Sequence, residues 1–205
     1  TIGCNFRCPY CHNPELVDET VSLTYSEADI LSFLDMRKGL LDGVVITGGE
    51  PTMHRSLPAF MAKVKEKGFS VKLDSNGTNP AMLKKVITEK LVDYIAMDIK
   101  APLQSYSKTV ARPVDVGAIR ESIRLIMASS VPYEFRTTLI KALTSPEDIL
   151  NIGKEIKGAK AYYLQKFVST KLLNPQFRKK VTYTDEELTE LQKKLTPYVS
   201  FCGIR

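Results

Sequence analysis

The sequence lacks any apolar run approaching the ~18 residues that a membrane-spanning helix needs. It shows no leader with a basic start and an apolar centre. The expected setting is therefore cytoplasmic and reducing, with no membrane partner. Cysteine is scarce, with four residues in 205. A disulfide framework is not what folds this chain: at this length about 70% of the unfolded surface can be buried without staples. There is also no long linker, low-complexity tract or internal repeat, so residues 1–205 are expected to form one domain. The first residue is Thr, and "TIG" reads as the tail of a buried strand, which leads us to expect that the first strand is truncated.

What the chain does have is alternation. "GVVIT" (43–47), "SVKLD" (70–74), "YIAMD" (94–98), "YEFRTT" (133–138) and "AYYLQ" (161–165) are strand candidates, and "VSFCGIR" is a candidate closing strand. Several are nearly all apolar, as expected of parallel strands covered on both faces. Helix starts fall between them. Ser26, Ser145 and Thr184 each stand three residues before an acid, the capping-box spacing, and Asn79-Pro80 opens another helix. Strand–helix alternation predicts a parallel sheet with right-handed crossovers. A closed eight-fold barrel needs about 250 residues, so the expectation is a partial (βα)6 barrel of TIM-like type, with an open doubly wound sheet as the alternative. Chemistry in either belongs at the C-terminal ends of the strands. There lie "GGEP" (48–51), "DSNGT" (74–78), "DIK" (98–100), Arg136, Gln165 and Lys166. Met53, Met97 and Cys202 read as core.

Three of the four cysteines crowd into "TIGCNFRCPYCHNPE", as Cys4, Cys8 and Cys11. Zinc would need a fourth ligand, and His12 adjoins Cys11 too closely for both to face one tetrahedral ion with ease. Cys8 to His12 matches the haem-attachment pattern C-x-x-C-H, but that chemistry belongs to exported proteins and leaves Cys4 idle. A thioredoxin-like C-x-x-C also leaves Cys4 idle. A fourth reading is an iron–sulfur cluster held by three thiolates, with one iron open to a ligand.

Together "GCNFRCPYCHNPE", "ITGGEPTMH", "LDSNGT" and "AMDIKAP" resemble the radical S-adenosylmethionine (SAM) superfamily, and within it the glycyl-radical-enzyme activases. The cysteine loop is most similar to those of the small activating proteins of anaerobic ribonucleoside-triphosphate reductase. The resemblance implies a [4Fe–4S] cluster on Cys4, Cys8 and Cys11. It further implies that SAM is cleaved to a 5′-deoxyadenosyl radical, which creates a glycyl radical on a partner enzyme. By the same resemblance the SAM site holds Tyr10 and His12 near the adenine. Gly48 and Gly49 admit the ligand closely, and Glu50 accepts from its ammonium. Asp74, Ser75 and Asn76 meet its ribose and methionyl end, and Arg136 and Gln165 complete the set. Arg136 in an apolar strand needs a carboxylate, either SAM's or that of Asp98. Asp98 and Lys100 serve the site or simply pair with each other. Alongside the reductase activase stand a pyruvate formate-lyase-type activase, a radical SAM enzyme acting on a small molecule or RNA, and a non-enzymatic electron carrier. Phe167, where pyruvate formate-lyase activases carry His, weighs against the first of these. The absence of a second cysteine set weighs against an inserted ferredoxin-like domain.

The net charge is +6. Part of it gathers in "KFVSTKLLNPQFRKK", at Lys166, Lys171, Arg178, Lys179 and Lys180. That stretch is either a solvated loop or a surface for an acidic partner, such as a flavodoxin- or ferredoxin-type electron donor. Nucleic acid is not the expected partner.

Overall fold

The computed structural model describes residues 1–22 and 25–205. Six strands form one parallel sheet: β1 (Gly43–Ile46), β2 (Ser70–Ser75), β3 (Tyr94–Asp98), β4 (Tyr133–Leu139), β5 (Tyr162–Lys166) and β6 (Cys202–Ile204). They pair in sequence order, β1 to β6. The helices are α1 (Pro14–Val17), α2 (Glu27–Met36), α3 (Leu57–Glu66), α4 (Pro80–Thr88), α5 (Tyr106–Val110), α6 (Val116–Ala128), α7 (Pro146–Glu155) and α8 (Asp185–Leu195). The expected boxes at Ser26, Ser145 and Thr184 cap α2, α7 and α8, each with the reciprocal side-chain bonds in place. Asn79 caps α4. Asp115 caps α6 through the N–H groups of Gly117 and Ala118, a start that lacks the acid three residues on. No helix among the described residues is long and apolar enough to cross a membrane.

The sheet curls into a partial TIM-like barrel. The segment after β5 reaches the loop that precedes β1: Leu173 N–H donates to Cys11 O and Asn174 N–H to Pro9 O, both at 2.9 Å. "TIG" is not a strand, yet it bonds edge to edge with the end of β1. Thr1 N donates to Thr47 O at 2.6 Å, Gly49 N–H to Thr1 O at 2.9 Å and Glu50 N–H to Gly3 O at 2.8 Å.

The strands are not apolar on both faces. Val71, Leu73, Ile95, Met97, Phe135, Leu139, Tyr162 and Leu164 are fully buried on one face. The buried stripes of α3, α4, α6, α7 and α8 complete the core with them. The alternate residues are Lys72, Asp74, Tyr94, Asp98, Glu134, Arg136, Thr138 and Tyr163, and they face the barrel interior. An open barrel leaves that face beside a solvent-filled mouth, where charge is tolerated if paired. Glu134, 2% exposed, accepts from Arg205 Nη1 and Nη2 at 2.8 Å each and from Tyr94 Oη at 3.1 Å. Arg205 also stacks over the Tyr163 ring, 3.5 Å from its centroid. Met97 and Cys202 are buried as expected. Met53 is 48% exposed, because the short 3-10 turn Pro51–Met53 buries its first two residues and turns the third outward.

Burial works against the Glu134 charge, but the Arg205 pairing outweighs it and holds the carboxyl below its ordinary value. Its contribution is therefore present above the unfolded pKa of about 4.3 and lost as pH falls through the lower folded value. Glu134→Gln should cost about 1–2 kcal/mol in urea unfolding at neutral pH, discounted because Arg205 is partly exposed. The difference from the parent should shrink as pH falls below about 4.3 and be lost only below the lowered folded value.

Candidate radical SAM site

One cavity of about 240 Å³ opens at the C-terminal rim of the barrel. Four rim segments after β1, β2, β3 and β4 contribute to it, together with the cysteine loop. Cys4, Cys8 and Cys11 line it side by side, and all are free thiols. Burial pushes the Cys8 thiol up to about 11, opposed by the nearby Lys100 ammonium. Burial raises Cys4 as well. Among the described residues no three Cys, His, Asp or Glu side chains converge as the ligands of a single ion would. Thiols spread along one wall suit a multi-iron cluster instead, whose charge would hold them as thiolates.

Gly48, Gly49 and Glu50, in the turn after β1, line the same cavity. Glu50 is 1% exposed. Its Oε1 accepts from Thr52 N–H at 3.1 Å, from the Thr52 hydroxyl and from Ser75 Oγ at 2.9 Å. Oε2 accepts only from Asn76 N–H at 2.7 Å, leaving capacity for one more donor. Burial raises this carboxyl, and the bonds from Thr52, Asn76 and Ser75 oppose the rise. The two glycines serve a different close approach in this structure. A Cβ on Gly49 would lie 1.9 Å from Gly3 O, and one on Gly48 would lie 2.4 Å from Thr1 N and O. Their bareness admits the backbone that carries the cysteines.

After β2, Ser75 and Asn76 are buried and belong to the same hydrogen-bond system as Glu50. Asn76 Oδ1 accepts from Thr78 N–H at 3.0 Å, an Asx turn of the expected kind. Gly77, at φ 77°, lets the chain reverse against Met97. Asp74 Oδ2 accepts from Arg136 Nη1 at 3.3 Å. Its enclosed Oδ1 has no hydrogen-bond partner, with Lys72 Nζ at 3.6 Å. Arg136 Nε donates to Asp98 Oδ1 at 2.8 Å, and Lys100 Nζ to Asp98 Oδ2 at 3.1 Å. Arg136 thus takes its carboxylate from Asp98, with Asp74 as a second. Burial disfavours the Asp98 charge, yet the two cations outweigh it and hold the carboxyl low. Arg136 stands beneath the cavity rather than in its wall, and Gln165 stands on β5 opposite Thr138, also outside the wall.

Tyr10, 5% exposed, lines the cavity with an enclosed hydroxyl close to the Cys8 thiol and without an aligned hydrogen bond among the described residues. His12 Nε2 donates to Val168 O at 2.7 Å and its ring stacks on Phe167, centroids 6.1 Å apart. Sequence reasoning did not single out Asn5, Thr52 or Thr138. Asn5 and Thr52 join the wall segments through hydrogen bonds, and Thr138 lines the cavity; no motif marks them, only their place beside motif residues. The three thiols, the Glu50 carboxylate and the enclosed Tyr10 hydroxyl and Asp74 Oδ1 gather at one cavity, a donor set that fits a polar cofactor beside a [4Fe–4S] cluster.

Gly49→Ala should push residues 1–3 off the β1 edge and displace Cys4. Reconstituted protein should then bind less iron and sulfide per chain than the parent, read by iron analysis and the visible absorption of the cluster.

The radical SAM superfamily model matches residues 1–156. A protein of Methanocaldococcus jannaschii, named as a candidate glycyl-radical enzyme activating enzyme, is 34% identical over 99% of this chain and 85% of its own length. The pyruvate formate-lyase-activating enzyme of Streptococcus mutans is 30% identical over 77% of this chain and 64% of its length. Among solved structures, Streptococcus suis SuiB bound to S-adenosylmethionine superposes with a TM-score of 0.75 at 13% identity, over 100% of this chain and 48% of that one; this likeness is one of fold. Other relatives are named as a 7-carboxy-7-deazaguanine synthase and a GTP 3′,8-cyclase, so activating enzymes are one group among them. The chain belongs to the radical SAM superfamily.

Proposed function

We propose that this chain, as a single catalytic domain in a reducing cytoplasm, activates a glycyl radical enzyme, and that the partner is an anaerobic ribonucleotide reductase. The observation that carries the activase reading is the meeting of the three thiols, the Glu50 carboxylate and the Ser75–Asn76 turn in one cavity, in a chain whose relatives carry that activity by name. The choice of reductase rests on the cysteine-loop resemblance and on Phe167, which here stacks on His12.

In this reading Cys4, Cys8 and Cys11 hold the cluster. When bound, the reduced cluster supplies the electron that splits SAM into methionine and a 5′-deoxyadenosyl radical. Glu50 Oε2 accepts from the SAM ammonium, a charge-assisted pairing. Tyr10 and His12 bracket the adenine, Asp74 Oδ1 takes a donor from the ligand, and the Asp98–Arg136–Asp74 chain fixes that carboxylate. The strap at 167–174 holds the cysteine loop from the β5 side, through Leu173, Asn174 and the Val168 carbonyl. Gln165 supports the β4 edge of the mouth.

The same strap leads into the basic run. Lys166 pairs with Asp185 and Lys171 with Glu15, whereas Arg178, Lys179 and Lys180 have no ion pair among the described residues. Three such cations in the segment that follows the strap suit an acidic electron donor.

The first test is anaerobic reconstitution followed by electron paramagnetic resonance with and without SAM. A [4Fe–4S]⁺ signal that shifts on adding SAM, with 5′-deoxyadenosine released and a glycyl radical appearing on the reductase, is expected. A cluster indifferent to SAM would leave an electron carrier, and SAM cleavage coupled to a small molecule but to no glycyl enzyme would move the assignment to that substrate class. Charge reversal in K179E/K180E should slow activation driven by flavodoxin or ferredoxin several-fold, more so at low salt. Activation driven by dithionite should stay at the parent rate.

A further inference from the structure

The cysteine loop and the turn after β2 are joined by a closed ring of side-chain hydrogen bonds. Asn76 Nδ2 donates to Asn5 Oδ1 at 2.8 Å. Asn5 Nδ2 donates to Thr78 Oγ1 at 2.8 Å. Thr78 Oγ1 donates to Asn76 Oδ1 at 2.7 Å. Each group both donates and accepts, and the bonds run one way around the ring, the arrangement in which neighbouring hydrogen bonds polarise one another. The orientation of both amides is fixed by this pattern: flipping either would set two donors or two acceptors face to face.

The ring's position gives it consequence. Asn5 follows Cys4 directly. Asn76 follows Ser75, and its own N–H lies on Glu50 Oε2 at 2.7 Å. One backbone step on each side therefore links a cluster ligand to the carboxylate that faces the cavity. Asn5 is exposed while Asn76 is buried, so the side chain reaches inward from the loop surface, and the core does not depend on it.

We propose that Asn5 is a positioning residue that sets the distance between the cysteine loop and the Glu50–Asn76 wall, and so aligns the open iron with the amino acid end of SAM. This rests on the reading of the cavity as a SAM site. A misalignment of an ångström between a reacting group and its partner is enough to cost a large factor in rate. The ring reads as a gauge: it is built from short, rigid side chains, and two of its three members leave the backbone within one residue of a group that touches a cofactor in that reading. Asn5→Asp would not substitute, because a second carboxylate oxygen would face Thr78 Oγ1 whose proton already serves Asn76.

The test is a double-mutant cycle with Asn5→Ala and Thr78→Val, and Thr78→Ser as the conservative control. All are assayed with dithionite for 5′-deoxyadenosine release and by electron paramagnetic resonance of the reduced cluster. Each single variant should melt within a few degrees of the parent and load its cluster normally. Each should raise the KM for SAM about tenfold and reduce the shift of the cluster signal on adding SAM. The double variant should be no worse than either single, and Thr78→Ser should behave as the parent. An unchanged KM and SAM-induced signal in Asn5→Ala, fully additive losses, or losses that merely follow the melting temperature would each overturn the proposal. If the unmutated protein fails to cleave SAM, the reading of the site fails first, and the spectroscopic arm distinguishes that case.

Discussion

The buried carboxylate of Glu50 is the constraint on which the site depends. Leaving such a charge without partners in a protein interior costs on the order of several kcal/mol. The sequence avoids this by directing at it the hydroxyl and N–H of Thr52, the Ser75 hydroxyl and the N–H of Asn76. Those donors come from two rim segments that are some twenty-five residues apart in sequence and adjacent only because β1 and β2 pair in parallel. A third segment is bound in through the backbone, where Glu50 N–H donates to Gly3 O. Three loops are thereby fixed relative to one another before any cofactor arrives, and one carboxylate oxygen still faces the cavity with room to accept. A residue that holds three segments together as a hydrogen-bond hub cannot be replaced without loosening all of them.

The barrel interior follows a related logic. In a closed barrel, inward side chains pack in apolar layers. Here six strands leave a mouth, and the inward positions instead carry Lys72, Asp74, Asp98, Glu134 and Arg136, with Arg205 reaching in from the end of β6. Opposite charges meet across the strands: Asp98 on β3 stands opposite Arg136 on β4 in register, and Arg136 also reaches Asp74 on β2. Each charge neutralises a neighbour, so the interior stays polar without net cost from uncompensated burial. The layer nearest the cavity, Asp74 and Asp98, is held in place from below by Arg136, while Lys100 reaches Asp98 from the rim. This explains why Arg136 belongs to the site without lining it: it acts through the carboxylates it orients.

The fold was largely legible because alternation and capping are local signals. Every strand candidate is a strand to within two residues, apart from the shorter β6, and all three capping boxes form, since each is decided by residues within one turn of it. The motif residues of the cavity were legible too, through cysteine spacing and the Gly-Gly-Glu-Pro turn. What escaped was non-local. Nothing in "GGEP" says that its glycines make way for Gly3 and Thr1; that follows only from how the chain's first residues run alongside β1. The apolar appearance of the strand candidates hid the polar inward face, because "YIAMD" and "YEFRTT" place one or two charged residues among many apolar ones and period-two patterning is hard to read over five or six residues. Met53 looked like core for the same reason: a short 3-10 turn has no periodicity to tell inside from outside. Asn5 was invisible because a polar residue in a loop is ordinary until its partners are known.

The strap that follows β5 connects these points. It is the only described segment that binds the cysteine loop from the far edge of the sheet, through Leu173, Asn174, the Val168 carbonyl and Lys171. Without the strap the loop would be anchored by Glu50 and Asn76 and by the end of α5, where Val110 O accepts from Arg7 N–H at 2.9 Å. With the strap in place the loop is held from both edges: the β1–β2 side fixes Cys4, and the β5 side fixes Cys11 and His12. The partial barrel therefore leaves the mouth open between the strap and the β1 edge while still holding the cysteine loop from both edges of the sheet.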